Sequence, residues 1–298
     1  MRIIRHPRKN LLHAPVVALG NFDGVHLGHQ QVIKTAVKEA KKLGADSAVI
    51  TFDPHPQEVI APERGLRLLT TLQEREALIK TLGVSEVIVL KFDQHLLGLS
   101  AHEFNEKYLV NQLGVREVVV GYDYAFGRGR RAGIAELKKF GFKVVVVPAV
   151  KKSGVIAKSG KVRELLSTGD FKNALTILGH PYRLTGRVGR GDGRGINLGF
   201  PTANIYVDPR KLLPAEGVYA GFVGKKKCVV NIGSRPTFGA GKLQVEIHLL
   251  NFSGDLRGKT IRVDLTRRLR HEKQFADVEA LKAQIRKDIA RVRRRLSE

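Results

Sequence analysis

The periodicity of apolar residues changes near Pro181, and this change constrains the fold more than any other feature of the sequence. Before it, short apolar segments alternate with helical segments, which is typical of an α/β domain with a mainly parallel sheet. After it, short strands of alternating polarity follow one another between glycines, which indicates a small antiparallel β-barrel. We therefore predict two domains, residues 1–180 with a Rossmann-like parallel sheet and residues 181–298 with the barrel.

Apolar runs and glycines define the elements of the first half. Strands are predicted at residues 16–19, 47–52, 87–91, 118–121 and 144–148. Helices are predicted at residues 31–43, 72–82, 102–113 and 134–140, and one or two short helices are predicted within 162–178. The first four helices precede glycines that can adopt the left-handed conformation at a helix end, namely Gly44, Gly83, Gly114 and Gly141.

The second half combines short strands with a long terminal helix. Strands are predicted at residues 182–188, 217–223, 228–231, 243–250 and 260–265. An apolar stripe with helical spacing predicts an amphipathic C-terminal helix, with Val278, Leu281, Ile285, Ile289, Val292 and Leu296 on one side. The other side is basic and carries Lys282, Arg286, Lys287, Arg291, Arg293, Arg294 and Arg295. A solvated face and a contact with RNA or a membrane both remain open for this basic side.

The charge of the chain limits its partners more than its fold. The sequence has 52 basic and 28 acidic residues and a formal net charge of +24, which attracts nucleic acids, anionic membranes and small phosphorylated ligands. Aromatic residues make up only 6 % and tryptophan is absent, so the base-stacking pattern of RNA-binding proteins is not favoured. Apolar runs are far shorter than the roughly 20 residues of a membrane span. With Cys228 as the single cysteine, we expect a cytoplasmic protein that does not associate with membranes.

The segment GNFDGVHLGH, residues 20–29, is the first candidate site. It places His26 and His29 between the end of a predicted strand and the start of a predicted helix, where backbone N–H groups favour anions. Gly24 and Gly28 allow tight turning and a close approach of a phosphate to the backbone. Two other interpretations stay open, a structural role for both histidines and a metal site that adds Asp23, Asp53 and His55.

This segment resembles the phosphate-binding segment of the nucleotidyltransferase superfamily. Its full spelling is similar to the adenylyltransferase half of bacterial bifunctional riboflavin kinases/FAD synthetases. Two further segments resemble that family in the same order, TFDPHP at residues 51–56 and VGYDYAFGRGR at residues 120–130. Both follow predicted strands, at the sheet edge where α/β proteins bind ligands. The resemblance implies a nucleotidyltransferase-like fold, in which the phosphate of FMN attacks the α-phosphorus of ATP, pyrophosphate leaves and FAD forms.

The resemblance also implies roles for individual residues. His26 and His29 are expected to act in catalysis on the ATP phosphates. The ATP phosphates are further expected to contact the loop residues Gly20, Asn21, Phe22, Gly24 and Gly28. The flavin is expected near Asp123, Phe126 and Arg128.

One segment departs from the family pattern. The family motif resembles ISSTxIR, whereas residues 157–163 read AKSGKVR, so that Lys158 and Gly160 replace a serine and a threonine. Ser159 and Arg163 match the motif. Because lysine can bind phosphate as a point charge, we expect Lys158 and Lys161 to join Ser159 and Arg163 in holding the departing pyrophosphate. The alternative is a riboflavin kinase whose adenylyltransferase half is impaired.

The second candidate site is a glycine-rich segment, residues 187–204, that reads RVGRGDGRGINLGFPTAN. On composition alone it could be a plain flexible loop. Its end, LGFPTAN, resembles the ATP–magnesium motif of riboflavin kinases, which implies metal ligation by Thr202 and Asn204. These residues are two apart and share one face of an extended segment, and their oxygens suit Mg²⁺. ATP is expected to contact Arg187, Gly195, Gly199 and Pro201.

The strand-like segment LQVEIHLL, residues 243–250, resembles the Glu-x-His segment of the same kinases. The resemblance implies that Glu246 is the general base that takes the proton of the ribityl 5′-hydroxyl as it attacks the γ-phosphate of ATP. Arg270 and Phe275 are expected near the flavin. The implied substrates and products are ATP, riboflavin, FMN, FAD and pyrophosphate, with Mg²⁺ bound together with ATP and no permanently bound cofactor. Self-association stays open, and an RNA-binding protein is the alternative from another class.

Overall fold

The structure is a computed structural model that describes residues 1–9, 12–189, 195, 198–234 and 243–295. Its contacts divide the chain into two compact units, Met1–Ser159 and Gly160–Glu298. The two helices between residues 159 and 178 group with the second unit. The predicted boundary between the two functional domains at residue 180 stays a prediction. Within the described ranges, no helix has the length and apolar character that crossing a bilayer would require.

The first unit contains the predicted parallel sheet. Its six strands are β1 (Arg2–Ile4), β2 (Val16–Leu19), β3 (Ser47–Asp53), β4 (Glu86–Lys91), β5 (Glu117–Gly121) and β6 (Lys143–Val147). They pair in parallel in the order β1-β4-β3-β2-β5-β6. The fold class is therefore confirmed. The edge strand β1 was not predicted, because three residues are too short to show a period.

Both faces of this sheet are covered by apolar side chains. Along β2, Val16 and Ala18 belong to the core cluster that includes residues of the helix Leu27–Leu43. Their neighbours Val17 and Leu19 belong to the cluster on the opposite face. This explains why the strands read as uninterrupted apolar runs rather than as alternating sequences.

The helices of the first unit follow the sequence pattern closely. They are α1 (Leu27–Leu43), α2 (Pro56–Ile60), α3 (Leu72–Lys80), α4 (Gln94–Gly98), α5 (Ala101–Phe104) and α6 (Ile134–Lys139). A π-helical segment, Asn105–Gln112, continues α5, so the single α-helix predicted at residues 102–113 changes its winding. Shorter elements are the 3₁₀ turns Pro62–Arg64 and Arg128–Arg130 and two ribbons, Ala125–Phe126 with Ala132–Gly133 and Lys151–Lys152 with Val155–Ile156.

All four glycines predicted at helix ends have positive φ angles. The values are 61° for Gly44, 80° for Gly83, 59° for Gly114 and 95° for Gly141. A side chain at these positions would be strained, so the glycines set where the helices stop.

The second unit begins at the second residue of α7 (Ser159–Thr168), continues with α8 (Phe171–Leu178) and contains a closed barrel. The barrel strands are β7 (Tyr182–Gly189), β8 (Ala203–Val207), β9 (Gly217–Val223), β10 (Lys226–Ser234), β11 (Leu243–Leu249) and β12 (Thr260–Arg270). Their antiparallel order is β7-β8-β11-β10-β9-β12. The barrel is confirmed, but β8 was not predicted as a strand because Pro201 and the neighbouring glycines favour a loop.

The C-terminal helix α9 (Val278–Arg295) covers part of the outer barrel surface. Val292 is fully buried and packs with Ala220 and Leu250, whereas Val278 at the other end is 53 % exposed. The predicted apolar stripe is therefore buried mainly at its C-terminal end, and Leu296 lies outside the described residues. The basic side stays exposed at Arg286, Lys287, Arg291, Arg293 and Arg294.

Cys228 provides a probe of barrel opening. Its side chain is fully buried in β10, and burial raises the pKa of the thiol to about 12. We expect a thiol reagent at pH 8 to modify the native protein about 10³-fold or more slowly than the unfolded chain, because only opened molecules react. Rapid modification of the native protein would contradict this placement.

The same thiol makes barrel stability depend on pH. In the unfolded chain a cysteine titrates near about 8.5, so between this pH and about 12 the folded state keeps a proton that the unfolded state loses. We expect the free energy of unfolding to fall as the pH rises above about 8.5, and to fall less in Cys228→Ala, as measured by urea denaturation.

Candidate active sites

The strand order of the first unit identifies where a ligand would bind. From β2 the chain continues to β3 and β4 on one side of the sheet, and later to β5 and β6 on the other side. The direction therefore reverses between the neighbouring strands β2 and β5. Open α/β sheets bind ligands at the carboxyl ends of the strands at such a switch point. The segments that follow these two strands are residues 20–26 and 122–128, which contain predicted site residues.

The loop after β2 turns through three residues in the left-handed region. Phe22 has a φ angle of 52°, Gly24 of 83° and Val25 of 40°. A Cβ atom on Gly24 would lie 2.7 Å from Cδ1 of Leu69, so this position excludes a side chain on two grounds. Strain at the two other residues must be offset by the surrounding contacts.

Asp23 supplies contacts that offset this strain. Its carboxylate is 1 % exposed and accepts hydrogen bonds from the N–H of Leu69 at 3.0 Å and the N–H of Thr70 at 2.8 Å. The hydroxyl of Thr70 donates to the same carboxylate at 2.9 Å and accepts from the N–H of Gly24 at 3.0 Å. The hydrogen bonds of the Asp23 carboxylate therefore connect the loop after β2 to the segment before α3.

The two histidines meet at the start of α1. The Nδ1 atom of His26 accepts a hydrogen bond from the N–H of His29 at 3.3 Å and so caps the helix. The two rings stack with centroids 3.6 Å apart, and the ring of Phe22 contacts His29 edge to face. Because Nδ1 of His26 accepts, the proton of its neutral ring lies on Nε2. The structure therefore gives His26 a capping role and places both rings at the positive end of a 17-residue helix.

The residues of the alternative metal site have other partners. The carboxylate of Asp23 accepts from Leu69 and Thr70, as described above. The Nδ1 atom of His55 accepts from the N–H of Gln57 at 3.1 Å at the start of α2. In the described part of the chain, no three metal-ligating side chains come together in a group that could hold an ion.

Lys158 and Ser159, in the segment that differs from the family motif, contact the loops after β2 and β5. The hydroxyl of Ser159 donates to the backbone oxygen of Asp23 at 2.8 Å. The Nζ atom of Lys158 lies 3.1 Å from Oδ2 of Asp123 and 5.3 Å from the ring centroid of Tyr122. Hydrogen bonds with the side chains of Tyr122 and Asp123 raise the pKa of Lys158. Lys158 is therefore cationic and bound to a residue that the sequence predicts near the flavin.

The other predicted residues of this region are also engaged in contacts. Arg128 donates through Nε and Nη2 to the backbone oxygen of Gly98, at 2.9 and 2.6 Å. Phe126 packs between the rings of Phe104 and Tyr124, with centroids 5.8 and 5.5 Å away. Gly20 and Gly28 have little room for a side chain, because a Cβ atom would approach the rings of Phe22 and His26 to 3.0 and 3.1 Å. Their roles toward ATP and the flavin stay predictions.

Lys161 and Arg163 belong to the second unit, on helix α7. Lys161 forms an ion pair with Glu164 at 2.5 Å. Their predicted contact with pyrophosphate stays a prediction.

Arg75 is a buried residue of the first unit that sequence reasoning missed. It is 3 % exposed and donates to the backbone oxygen of Asn21 at 2.7 Å and of Phe52 at 3.0 Å. Burial lowers the pKa of Arg75. No feature of a single sequence marks it, because an arginine on a short polar helix is usually exposed to solvent.

In the second unit, strand register brings the predicted kinase residues into one row. Across the barrel, Asn204 of β8 lies opposite Glu246 of β11, and Glu246 lies opposite Asn231 of β10. The row continues through Val218 of β9 to Arg270 of β12. Directly paired residues project from the same face of a sheet. Glu246 is therefore flanked by two asparagines, of which only Asn204 was predicted as a site residue.

The segment before β8 is held next to this row. The backbone oxygen of Pro201 lies 2.8 Å from Nδ1 of His248, two residues beyond Glu246. The N–H of Phe200 donates to the backbone oxygen of Gly195 at 2.7 Å. A Cβ atom on Gly195 would lie 2.9 Å from the hydroxyl oxygen of Thr202, so the absent side chain lets the backbone approach Thr202.

The remaining predicted residues of the second unit have structural partners as well. Arg270 forms an ion pair with Asp288 of α9 at 2.9 Å, and its guanidinium carbon lies 5.8 Å from the ring centroid of Phe275. Arg187 donates to the backbone oxygen of Gly258 at 3.3 Å. Gly199 has a φ angle of 83°. Residues 190–194 and 196–197 of the predicted glycine-rich segment lie outside the described residues.

Comparison with known proteins gives matches to both units. Residues 8–161 match a family model described as FAD synthetase, and residues 178–296 match one described as riboflavin kinase. The bifunctional riboflavin kinase/FMN adenylyltransferase of Escherichia coli strain K12 is 37 % identical over 97 % of this chain and 96 % of its own length. The protein of the same name from Pseudomonas fluorescens is 40 % identical over 93 % of this chain and 92 % of its own.

A solved structure shares the fold. It is described as a macrolide-efflux protein from Streptococcus pneumoniae and has a TM-score of 0.87 at 28 % identity. The match covers 98 % of this chain and 99 % of that chain.

Gly24 and Gly44 form a matched pair for testing the loop after β2. Both have positive φ angles, but a Cβ atom meets Leu69 at Gly24 and nothing within 4 Å at Gly44. We expect Gly44→Ala to cost about 1–2 kcal/mol of unfolding free energy and Gly24→Ala about 1–3 kcal/mol more, measured by urea denaturation. Equal costs would show that the contact with Leu69 is not tight.

Proposed function

The chain belongs to the family of bifunctional riboflavin kinase/FMN adenylyltransferases, and from this membership we propose how its two units carry out the two reactions. The protein phosphorylates riboflavin to FMN and adenylylates FMN to FAD, each time with ATP. The first unit performs adenylyl transfer at the switch point between β2 and β5. The second performs phosphoryl transfer at the row of residues around Glu246. The observation that supports this division is that each unit contains its own candidate site. Hydrogen bonds of Asp23 hold the site of the first unit, and strand pairing around Glu246 holds the site of the second.

In adenylyl transfer, an oxygen of the FMN phosphate attacks the α-phosphorus of ATP, and the bond to the β-phosphate oxygen breaks to release pyrophosphate. This reaction needs no protein nucleophile, so the protein contributes position and charge. The positive end of α1 and the N–H donors of His26 and His29 bind the phosphates of ATP. Lys158 and Ser159 border the same site, and Lys161 and Arg163 contribute as the family resemblance implies. FMN lies toward Asp123 and Phe126, with Arg128 supporting the loop.

In phosphoryl transfer, the ribityl 5′-hydroxyl of riboflavin attacks the γ-phosphorus of ATP and ADP leaves. Glu246 accepts the proton of the hydroxyl. Asn204 and Asn231 flank this carboxylate and restrict its orientation by their register across β8 and β10. Such a positioned base contributes about 10²- to 10⁴-fold to the rate. Arg270 and Phe275 border the flavin, while Arg187, Gly195, Gly199 and Pro201 belong to the segment that holds ATP.

The residues Thr202 and Asn204 fit a magnesium ion. Both offer neutral oxygen ligands, and Asn204 lies opposite Glu246 across the β8–β11 pair. Such a donor set suits a hard cation whose remaining ligands are water molecules and oxygens of the substrate phosphates. When bound with ATP, Mg²⁺ neutralises phosphate charge at the transferred group. The single buried cysteine and the bacterial relatives support a cytoplasmic location.

An impaired adenylyltransferase half is the alternative against which two ion pairs of the structure can be weighed. Lys158 is paired with Asp123 and Lys161 with Glu164. Binding of ATP would have to draw these cations away from their carboxylates. Both pairs are at least one-third exposed, so their cost of separation is small and activity is retained.

Glu246→Gln tests the assignment of two separate sites. We expect a loss of FMN formation of about 10²-fold or more, because an amide cannot accept the proton, with unchanged FAD formation from supplied FMN. Both products are separated by chromatography after incubation with ATP and Mg²⁺. Glu279→Gln, in an exposed ion pair on α9, serves as the matched control and should leave both rates unchanged. Equal loss of both activities in Glu246→Gln would contradict two sites.

Lys158→Ala tests the role of the segment that differs from the family motif. We expect the KM for ATP in FAD formation to rise about tenfold, since one charge-assisted contact with phosphate is lost, while FMN formation from riboflavin stays unchanged. Lys152→Ala removes an exposed lysine from the neighbouring ribbon and is the control. A folded Lys158→Ala protein with an unaltered KM for ATP would exclude the proposed role.

A further inference from the structure

Arg75 is a buried cation that no other part of the proposed mechanism uses. It lies in the first turns of α3, and its guanidinium donates to backbone oxygens of two separate segments. One is Asn21, directly after β2, and the other is Phe52, near the end of β3. Among the ion pairs of the described residues, none includes Arg75. Its charge interacts through space with the carboxylates of Asp23, Asp53, Glu76 and Glu58.

The oxygen of Asn21 receives two donors. Besides Arg75 at 2.7 Å, the hydroxyl of the buried Thr51 donates to it at 2.9 Å. In a trans peptide the carbonyl oxygen and the N–H of the next residue point in opposite directions. The two donors therefore fix the direction of the Phe22 N–H, which points away from Arg75. Within the described part of the chain, no backbone oxygen accepts a hydrogen bond from this N–H.

The Phe22 peptide sits where the loop needs support. Phe22 has a φ angle of 52°, a left-handed conformation that is unfavourable for an aromatic residue. Its ring is buried and contacts His29. A rotation of the peptide between Asn21 and Phe22 would relieve this conformation, but it would break both hydrogen bonds to the Asn21 oxygen. Arg75 and Thr51 thus hold the loop in the form that points the Phe22 N–H away from the Asn21 oxygen and its two donors.

We propose that Arg75 is a positioning residue for adenylyl transfer, which holds the Asn21 carbonyl inward so that the Phe22 N–H binds a phosphate oxygen of ATP. The inference rests on the proposed assignment of this reaction to the loop after β2. The guanidinium suits the task because its Nη1 and Nη2 atoms reach two carbonyls at once, whereas a lysine offers a single nitrogen. The substitution Arg75→Lys would keep the positive charge but remove the pair of nitrogen donors that reaches both carbonyls.

Kinetics of the full-length protein test the proposal. FAD formation is measured from supplied FMN, ATP and Mg²⁺ without riboflavin, with KM and kcat determined for each substrate. We expect Arg75→Lys to raise the KM for ATP about tenfold and Arg75→Met about 10- to 100-fold, with an unchanged KM for FMN. FMN formation from riboflavin, measured on the same preparations, should not change.

The separate values of KM and kcat distinguish positioning from a merely structural role. If Arg75 only stabilised the fold, its loss would lower kcat with the fraction of folded protein and leave both KM values unaltered. Arg5→Met is the matched control, because Arg5 is an exposed arginine that pairs with Glu76, the neighbour of Arg75 on α3. Should Arg75→Met fail to fold, Arg75→Lys decides the question. A wild-type KM for ATP in folded Arg75→Lys would overturn the proposal.

Thr51→Val tests the route through the Asn21 carbonyl independently. Valine keeps the volume and removes the second donor, so we expect a rise of about two- to tenfold in the KM for ATP. In Thr51→Val/Arg75→Lys the combined effect should be smaller than the product of the single effects, because both act on one carbonyl. A fully multiplicative effect would contradict a shared carbonyl. Failure of the wild-type protein to form FAD would instead contradict the proposed function itself.

Discussion

The buried carboxylate of Asp23 is the interaction on which the first active site depends. A charge with 1 % exposure is tolerated only when hydrogen bonds replace its lost water, and here three donors from Leu69 and Thr70 do so. These bonds connect the loop after β2 to the segment before α3. They hold in place a loop with three left-handed residues, and this loop in turn determines where α1 starts. The positions of the two histidines follow from that start.

The second unit reaches a comparable result mainly by strand pairing. Its residues are positioned by the ladder of a closed antiparallel barrel, in which β8, β11 and β10 bring Asn204, Glu246 and Asn231 side by side. A shift of one residue in either pairing would turn Glu246 to face the barrel interior. The apolar residues that alternate with it, Val245 and Ile247, are buried and oppose such a shift. The Glu246 side chain is thus oriented by the same alternation that builds the core.

Sequence reasoning predicted what depends on local pattern and missed what depends on pairing. The apolar runs of β2 to β6 and the four glycines at helix ends were predicted nearly to the residue. Hydrophobic periodicity and the backbone preference of glycine depend only on residues that are neighbours in the sequence. The strand β8 was missed, since its pairing with β7 and β11 outweighs the loop preference of Pro201. Arg75 and Asn231 were missed for a related reason: their importance arises from partners more than 10 residues away in the chain. The ion pair between Lys158 and Asp123 could not be read from either segment alone.

FMN, the product of the riboflavin kinase reaction, is the substrate of the adenylyltransferase reaction of the same protein. The most direct test of this coupling is a time course with the purified protein, riboflavin, ATP and Mg²⁺, in which FMN and FAD are quantified separately. We expect FMN to appear first and FAD to follow after a lag, with no lag when FMN replaces riboflavin. Accumulation of FMN without FAD, even when FMN is supplied directly, would contradict this coupling.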